Sequence, residues 1–182
     1  MHELGVPNLN FERLTRSGRA EENADELMPT NKQVDEWLCE AYRELKTNPK
    51  WNFYIPILDG LEWAAEGEFI GCRARMCTAN VRTFNPDGSI ATCPNIPLDN
   101  YGNINKVKTI CDVTDKLEGT KAYKELLNRE RTKNDECYLC DYYSVCNGDC
   151  FQLAWDETGC PGLKKTITEV HKHIASERLN DK

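Results

Sequence analysis

The sequence predicts an α+β chain: a small β-hairpin sheet, flanking helices, and cysteine-rich loops. Three observations lead there. Apolar residues recur at helical spacing after Thr30. Asn85-Pro86-Asp87-Gly88 forms a turn signature between two short branched runs. Eight of the ten cysteines fall within 72–93 and 137–160.

Leu9 to Leu14 reads as a short strand, and Thr15 to Pro29 as a polar loop broken by Gly18 and Pro29. Thr30, with Gln33 three residues on, has the pattern of a capping box. Val34, Trp37, Leu38, Ala41, Tyr42 and Leu45 then form one apolar stripe, which ends before Asn48-Pro49. Cys39 lies off that stripe. Trp51 to Leu58 is aromatic and branched, as strands are, and Leu61 to Ala65 suits a short helical turn. In the hairpin, Pro and Gly stand at the second and fourth positions of a type I turn, between Val81–Phe84 and Ser89–Thr92. Residues 94–120 read as loop, Ala122–Arg131 as a polar helix, residues 137–162 as a cysteine-dense knuckle, and Leu163–Leu179 as a closing helix. His171 is expected to be a partly buried residue of that helix rather than a ligand.

The chain has 182 residues and a formal charge of −7. An acidic balance argues against a nucleic-acid partner, whose surface asks for a basic excess. No apolar run approaches the roughly 18 residues that span a bilayer, so no membrane partner is expected. Met1-His2-Glu3-Leu4-Gly5 has neither the basic nor the apolar region of a signal peptide. A cytoplasmic location, and hence a reducing one, is the expectation. There, clustered cysteines more often bind metal than form disulfides.

The spacing carries the chemistry. The first group is Cys72-x4-Cys77-x10-Gly88-x4-Cys93. The second is Cys137-x2-Cys140-x5-Cys146-x3-Cys150-x9-Cys160. A pair two residues apart can bend round one metal centre, and a hairpin can return Cys93 toward Cys77. Structural zinc usually takes two short pairs, whereas this chain has one. The gaps also differ from the bacterial ferredoxin run. Spacing alone leaves iron–sulfur and zinc both open, since both favour thiolate.

From Cys77 to Cys160 the pattern resembles the seven-cysteine signature of the SPASM domain. That auxiliary domain follows the radical SAM core in enzymes of the anaerobic sulfatase-maturating type and in related peptide- and cofactor-modifying enzymes. Asn85-Pro86-Asp87-Gly88 before Cys93-Pro94, and Cys146-Asn147-Gly148-Asp149-Cys150, resemble it locally as well. The likeness covers residues 72–160. It implies two 4Fe–4S clusters, with Cys72 as the eighth ligand. Carried over by position, the first cluster takes Cys72, Cys77, Cys93 and Cys150. The second takes Cys137, Cys140, Cys146 and Cys160. Cys39 and Cys111 are left over, as structural or incidental thiols. Asp141 and Asp149 are expected to be polar turn residues.

Leu9-Asn10-Phe11-Glu12-Arg13-Leu14 and Ser17-Gly18-Arg19-Ala20 resemble a late barrel strand and loop of a radical SAM core. The implied division is residues 1–71 as the end of that core plus a bridging region, 72–162 as the iron–sulfur domain, and 163–182 as a C-terminal helix. The Cys-x3-Cys-x2-Cys triplet that holds the S-adenosylmethionine-cleaving cluster does not occur. The resemblance therefore implies an auxiliary unit, for electron transfer or substrate positioning on a peptide or protein. S-adenosylmethionine would enter only through a missing or separate core. The alternative is a structural zinc module that recruits a partner without redox work. No P-loop, dinucleotide fingerprint, zinc-protease motif or nucleophile elbow is present.

Overall fold

The computed structural model describes residues 8–51, 53–69, 77–93 and 102–180. Its elements are helices with one small sheet, the α+β class. In chain order they are α1 (Arg19–Glu22), α2 (Ala24–Leu27), α3 (Asn31–Thr47), α4 (Pro56–Ala65), α5 (Cys77–Asn80), β1 (Thr83–Phe84), β2 (Ser89–Ala91) and β3 (Gly102–Asn103). They continue with α6 (Ile110–Glu118), α7 (Lys121–Arg131), α8 (Asp135–Tyr138), α9 (Tyr143–Cys146) and α10 (Lys164–Asn180).

Helix α3 starts where its cap dictates. The Thr30 hydroxyl accepts from the Gln33 amide at 3.2 Å, and the Gln33 side chain accepts from the Thr30 amide at 2.9 Å. The predicted stripe is turned slightly: Leu38, Cys39 and Tyr42 are buried, while Trp37 stays 47% exposed against the edge of Phe11. Cys39 is thus a core thiol rather than an off-stripe one, because α10 packs along α3 and covers it. Asp35 of α3 accepts from the amides of Lys165 and Thr166 at 2.8 and 2.9 Å. It thereby caps α10 from another helix, satisfying donors that a helix start leaves open.

Among the described residues, the strand expected over Trp51–Leu58 does not form. Tyr54 makes an isolated parallel bridge with Asn8, and Pro56 then begins α4. Proline suits a first helical turn, where its missing N–H is no loss. The short turn expected at Leu61–Ala65 is the second half of α4. Leu9–Leu14 likewise contributes only that bridge at its edge, and α1 and α2 lie within the stretch expected to be loop.

The hairpin is where the sequence puts it. Thr83 pairs with Ala91 and Phe84 with Ile90, and the Gly88 amide donates to the Asn85 carbonyl at 2.9 Å. A third strand, β3, adds Asn103 opposite Ser89 and Gly102 opposite Ile90. It runs close over the turn. A Cβ on Gly88, which has φ 80°, would meet Asn103 and Ile104 atoms at 3.3 Å. Residues 110–118, expected as loop, form α6. Residues 94–101 of that predicted loop lie outside the described residues, and its residues 102–103 form β3.

Two cores result. The first joins α3, α4 and α10 through Leu38, Tyr42, Leu58, Leu61, Leu163, Ile167 and Val170, with Val145 of α9. The second joins the sheet to α6 and α7 through Ile90, Ala91, Val113, Tyr123 and Leu126. The cysteine knuckle runs between them, since Cys146 packs on the first core and Phe151 on the second. His171 is exposed rather than partly buried, because the buried face of α10 runs through Thr166, Ile167 and Val170. No described helix is long and apolar enough to cross a membrane.

Candidate iron–sulfur site

Four cysteines converge at the knuckle. Cys137 lies in α8, which Asn134 caps by accepting from the Glu136 amide at 2.9 Å. The Cys140 amide donates to the Cys137 carbonyl at 3.3 Å, so the Cys-x2-Cys pair closes as a tight turn. Cys146 ends α9. The chain then reverses through Asn147, Gly148 and Asp149, with φ of 47°, 74° and 48°. Asn and Asp tolerate this left-handed region better than most residues.

Cys160 is delivered by a different device. The turn before it is pinned by Asp156, which accepts from the Asn31 amide at 2.6 Å and from the Thr158 amide at 2.8 Å. Burial works against the Asp156 carboxylate, yet the hydrogen bonds from Thr158 and Asn31 hold its carboxyl below the usual carboxylate range. The start of α3 thus anchors the loop that carries Cys160.

Cys137, Cys140, Cys146 and Cys160 line one small pocket, with Tyr142, Trp155 and Ile167 among its walls. Gly162 makes the arrangement sterically possible. A Cβ there would lie 3.1 Å from the Cys146 sulfur and 3.6 Å from the Cys160 sulfur. Among the described residues, no three His, Cys, Asp or Glu side chains draw together as a single metal ion would require.

The other expected group is described in part. Cys72 lies outside the described residues. Cys77 opens α5, Cys93 follows β2, and Cys150 precedes Phe151. All three flank the second core. Glu130 of α7, 1% exposed, accepts from the amides of Cys77 at 2.6 Å and Thr78 at 3.0 Å. The hydroxyls of Thr78 and Thr92, chain neighbours of Cys77 and Cys93, are buried with no partner among the described residues. Buried hydroxyls are rarely left so, and they suit a site whose acceptors are sulfur atoms of a bound group. Cys150 is not part of the pocket that takes Cys146 and Cys160. Cys111 is exposed on α6.

Sequence reading missed the residues that hold the knuckle in place. Arg13, in the N-terminal segment, donates to Asp149 at 3.1 Å and to the Pro161 carbonyl at 2.8 Å. Asp149 is therefore both a turn residue and half of a largely buried ion pair. Lys133 donates to the Tyr143 hydroxyl and, at 3.1 Å, to the Asn147 side chain. No local pattern marks such partners, which lie 136 residues apart in the first case. Arg13→Ala leaves Asp149 buried without its guanidinium and is expected to cost about 3 kcal/mol in urea unfolding. Adding Asp149→Ala should recover at least about 1 kcal/mol of that as coupling between neighbours. Strictly additive losses would contradict the pair's role.

No family profile and no curated protein sequence matches the chain. Solved structures do. Native anSMEcpe with bound AdoMet and a Cp18Cys peptide superposes with a TM-score of 0.57 at 18% identity, covering 85% of this chain and 44% of that one. Native anSMEcpe with AdoMet alone gives 0.57 at 19% identity, over 85% of this chain and 43% of that one. The hexahistidine-tagged form with AdoMet gives 0.59 at 18% identity, over 93% and 47%. At such identity the likeness establishes a shared fold. The chain spans less than half the length of these enzyme chains.

Proposed function

We propose that this chain is the auxiliary iron–sulfur unit of a radical SAM system that modifies a peptide or protein. It would hold one 4Fe–4S cluster on Cys137, Cys140, Cys146 and Cys160, and another on Cys72, Cys77, Cys93 and Cys150. In this reading residues 1–71 are the end of a core and a bridge, 72–162 the cluster domain, and 163–182 its closing helix. The partners are a radical SAM core, missing here or supplied by a separate chain, and the substrate that core modifies. Thiolate-held clusters suit a reducing compartment such as the cytoplasm.

The observation that carries the reading is the pocket lined by four cysteines, with Gly162 beside the Cys146 and Cys160 sulfurs. A cubane distributes its thiolates over different irons, so its ligands surround a volume. Structural zinc usually takes two short cysteine pairs, whereas this chain has one Cys-x2-Cys. Further support comes from the fold shared with anSMEcpe, whose structures contain AdoMet and peptide. When bound, the clusters would relay electrons or offer an iron to substrate. The chain's own residues hold the thiolates, exclude water with Tyr142, Trp155 and Ile167, and present the site beside the knuckle.

The test is anaerobic purification followed by iron, sulfide and zinc analysis. The expected product is brown, with a broad charge-transfer band and about eight irons per chain. It should release no 5′-deoxyadenosine from S-adenosylmethionine when reduced, because the Cys-x3-Cys-x2-Cys triplet is absent. A colourless protein with stoichiometric zinc would overturn the proposal in favour of a structural module.

A further inference from the structure

We propose that Lys164 sets the reduction potential of the cluster held by Cys137, Cys140, Cys146 and Cys160, acting as the positive charge that stabilises its reduced form. The inference rests on the cluster assignment above and concerns the regulation of that same site. Among the described residues lining the four-cysteine pocket, Lys164 is the one cation, and Glu136 is the one carboxylate.

The placement follows from the chain. Cys160 is followed by Pro161 and Gly162, and the Lys164 amide donates to the Gly162 carbonyl at 2.9 Å. That turn sets Lys164 as the first residue of α10, directly behind Cys160. Lys164 there lines the pocket together with Cys160, Cys140 and Glu136. The other positive features of this corner are Arg13, which is paired with Asp149 and bonded to the Pro161 carbonyl, Lys133, which is bonded to Tyr143 and Asn147, and the start of α10. Its Lys165 and Thr166 amides are already taken by Asp35, a carboxylate that offsets the helix end. The ammonium is therefore what remains to face the added electron.

The sign follows from charge. One-electron reduction, with dithionite as donor, adds a negative charge to the site. An ammonium beside the thiolates favours the reduced state and raises the potential. Neutralising it lowers the potential. Glu136 opposes the effect and Lys164 is exposed to solvent, so the change is moderate.

The experiment uses the full chain with both clusters, titrated anaerobically while each is followed by paramagnetic resonance. Lys164→Gln should lower the reduced-to-oxidised ratio of the Cys160 cluster about tenfold at fixed ambient potential, equal to about 59 mV for a one-electron couple. The other cluster should hold its potential. Lys164→Arg, which keeps the charge, should stay within about threefold of the wild type. Raising the salt from about 0.05 to 0.5 M should lower the potential in the wild type more than in Lys164→Gln. Equal shifts at both clusters, or none, with iron retained would overturn the role of Lys164. Loss of iron in Lys164→Gln but not in Lys164→Arg would support it, since charge then holds the thiolates. Loss in both would overturn it. Absence of any cluster in the wild type would instead defeat the cluster assignment, and with it this inference.

Discussion

Cys160→Ala is expected to remove about four of the eight irons and one of the two paramagnetic signals, because a cubane stripped of one thiolate becomes labile. Cys140→Ala added to it should cost almost nothing more, since both residues line one pocket. Cys93→Ala combined with Cys160→Ala should instead remove nearly all the iron, as independent sites add. Cys150 is the decisive position. It lies four residues after Cys146, yet it stands outside the Cys146 pocket, and its neighbour Phe151 packs on the core that carries β2. Cys150→Ala should therefore be additive with Cys160→Ala and redundant with Cys93→Ala. The reverse pattern in iron counts would show the ligands to be shared out differently.

Glu130→Ala should be the most damaging change away from the cysteines. Its carboxylate is buried and accepts from two backbone amides at the start of α5. Hydrogen bonds to a charged group contribute roughly 1.5–3 kcal/mol each, so about 3–6 kcal/mol of stability should be lost in urea unfolding. One of those amides belongs to Cys77. The cluster that uses Cys77 and Cys93 should thus be lost first, while the Cys160 cluster persists. Glu130→Gln keeps one acceptor oxygen in place and should lose about half as much. A loss under about 1 kcal/mol for Glu130→Ala, or equal loss of both clusters, would refute this account.

The places where expectation and structure part share a cause. Trp51–Leu58 has the composition of a strand, but a strand needs a partner edge. Among the described residues only Asn8 supplies one, at a single bridge, and Pro56 sits well in a helix start. Residues 110–118 look like loop because breakers surround them. Val113 nevertheless finds a core formed by β2 and α7, and tertiary packing is what sustains most short helices. Cys39 reads as off-stripe on an isolated helix and becomes fully buried once α10 lies across it.

What the sequence by itself determined is local chemistry: the capping box at Thr30, the turn at Asn85–Gly88, the helix over Ala122–Arg131, and the order and spacing of the cysteines. Each depends on neighbours within a few residues, where the backbone alone brings groups together. Only the tertiary structure decided which distant groups meet. Asp156 and Asn31 fix the loop of Cys160, Gly162 leaves room for two sulfurs, Arg13 reaches Asp149, and Glu130 holds the amide of Cys77. Apart from the Gly162 contacts, these join segments tens of residues apart, through burial and charge. Their geometry exists only after the two cores have formed, because packing against those cores sets where each loop can lie.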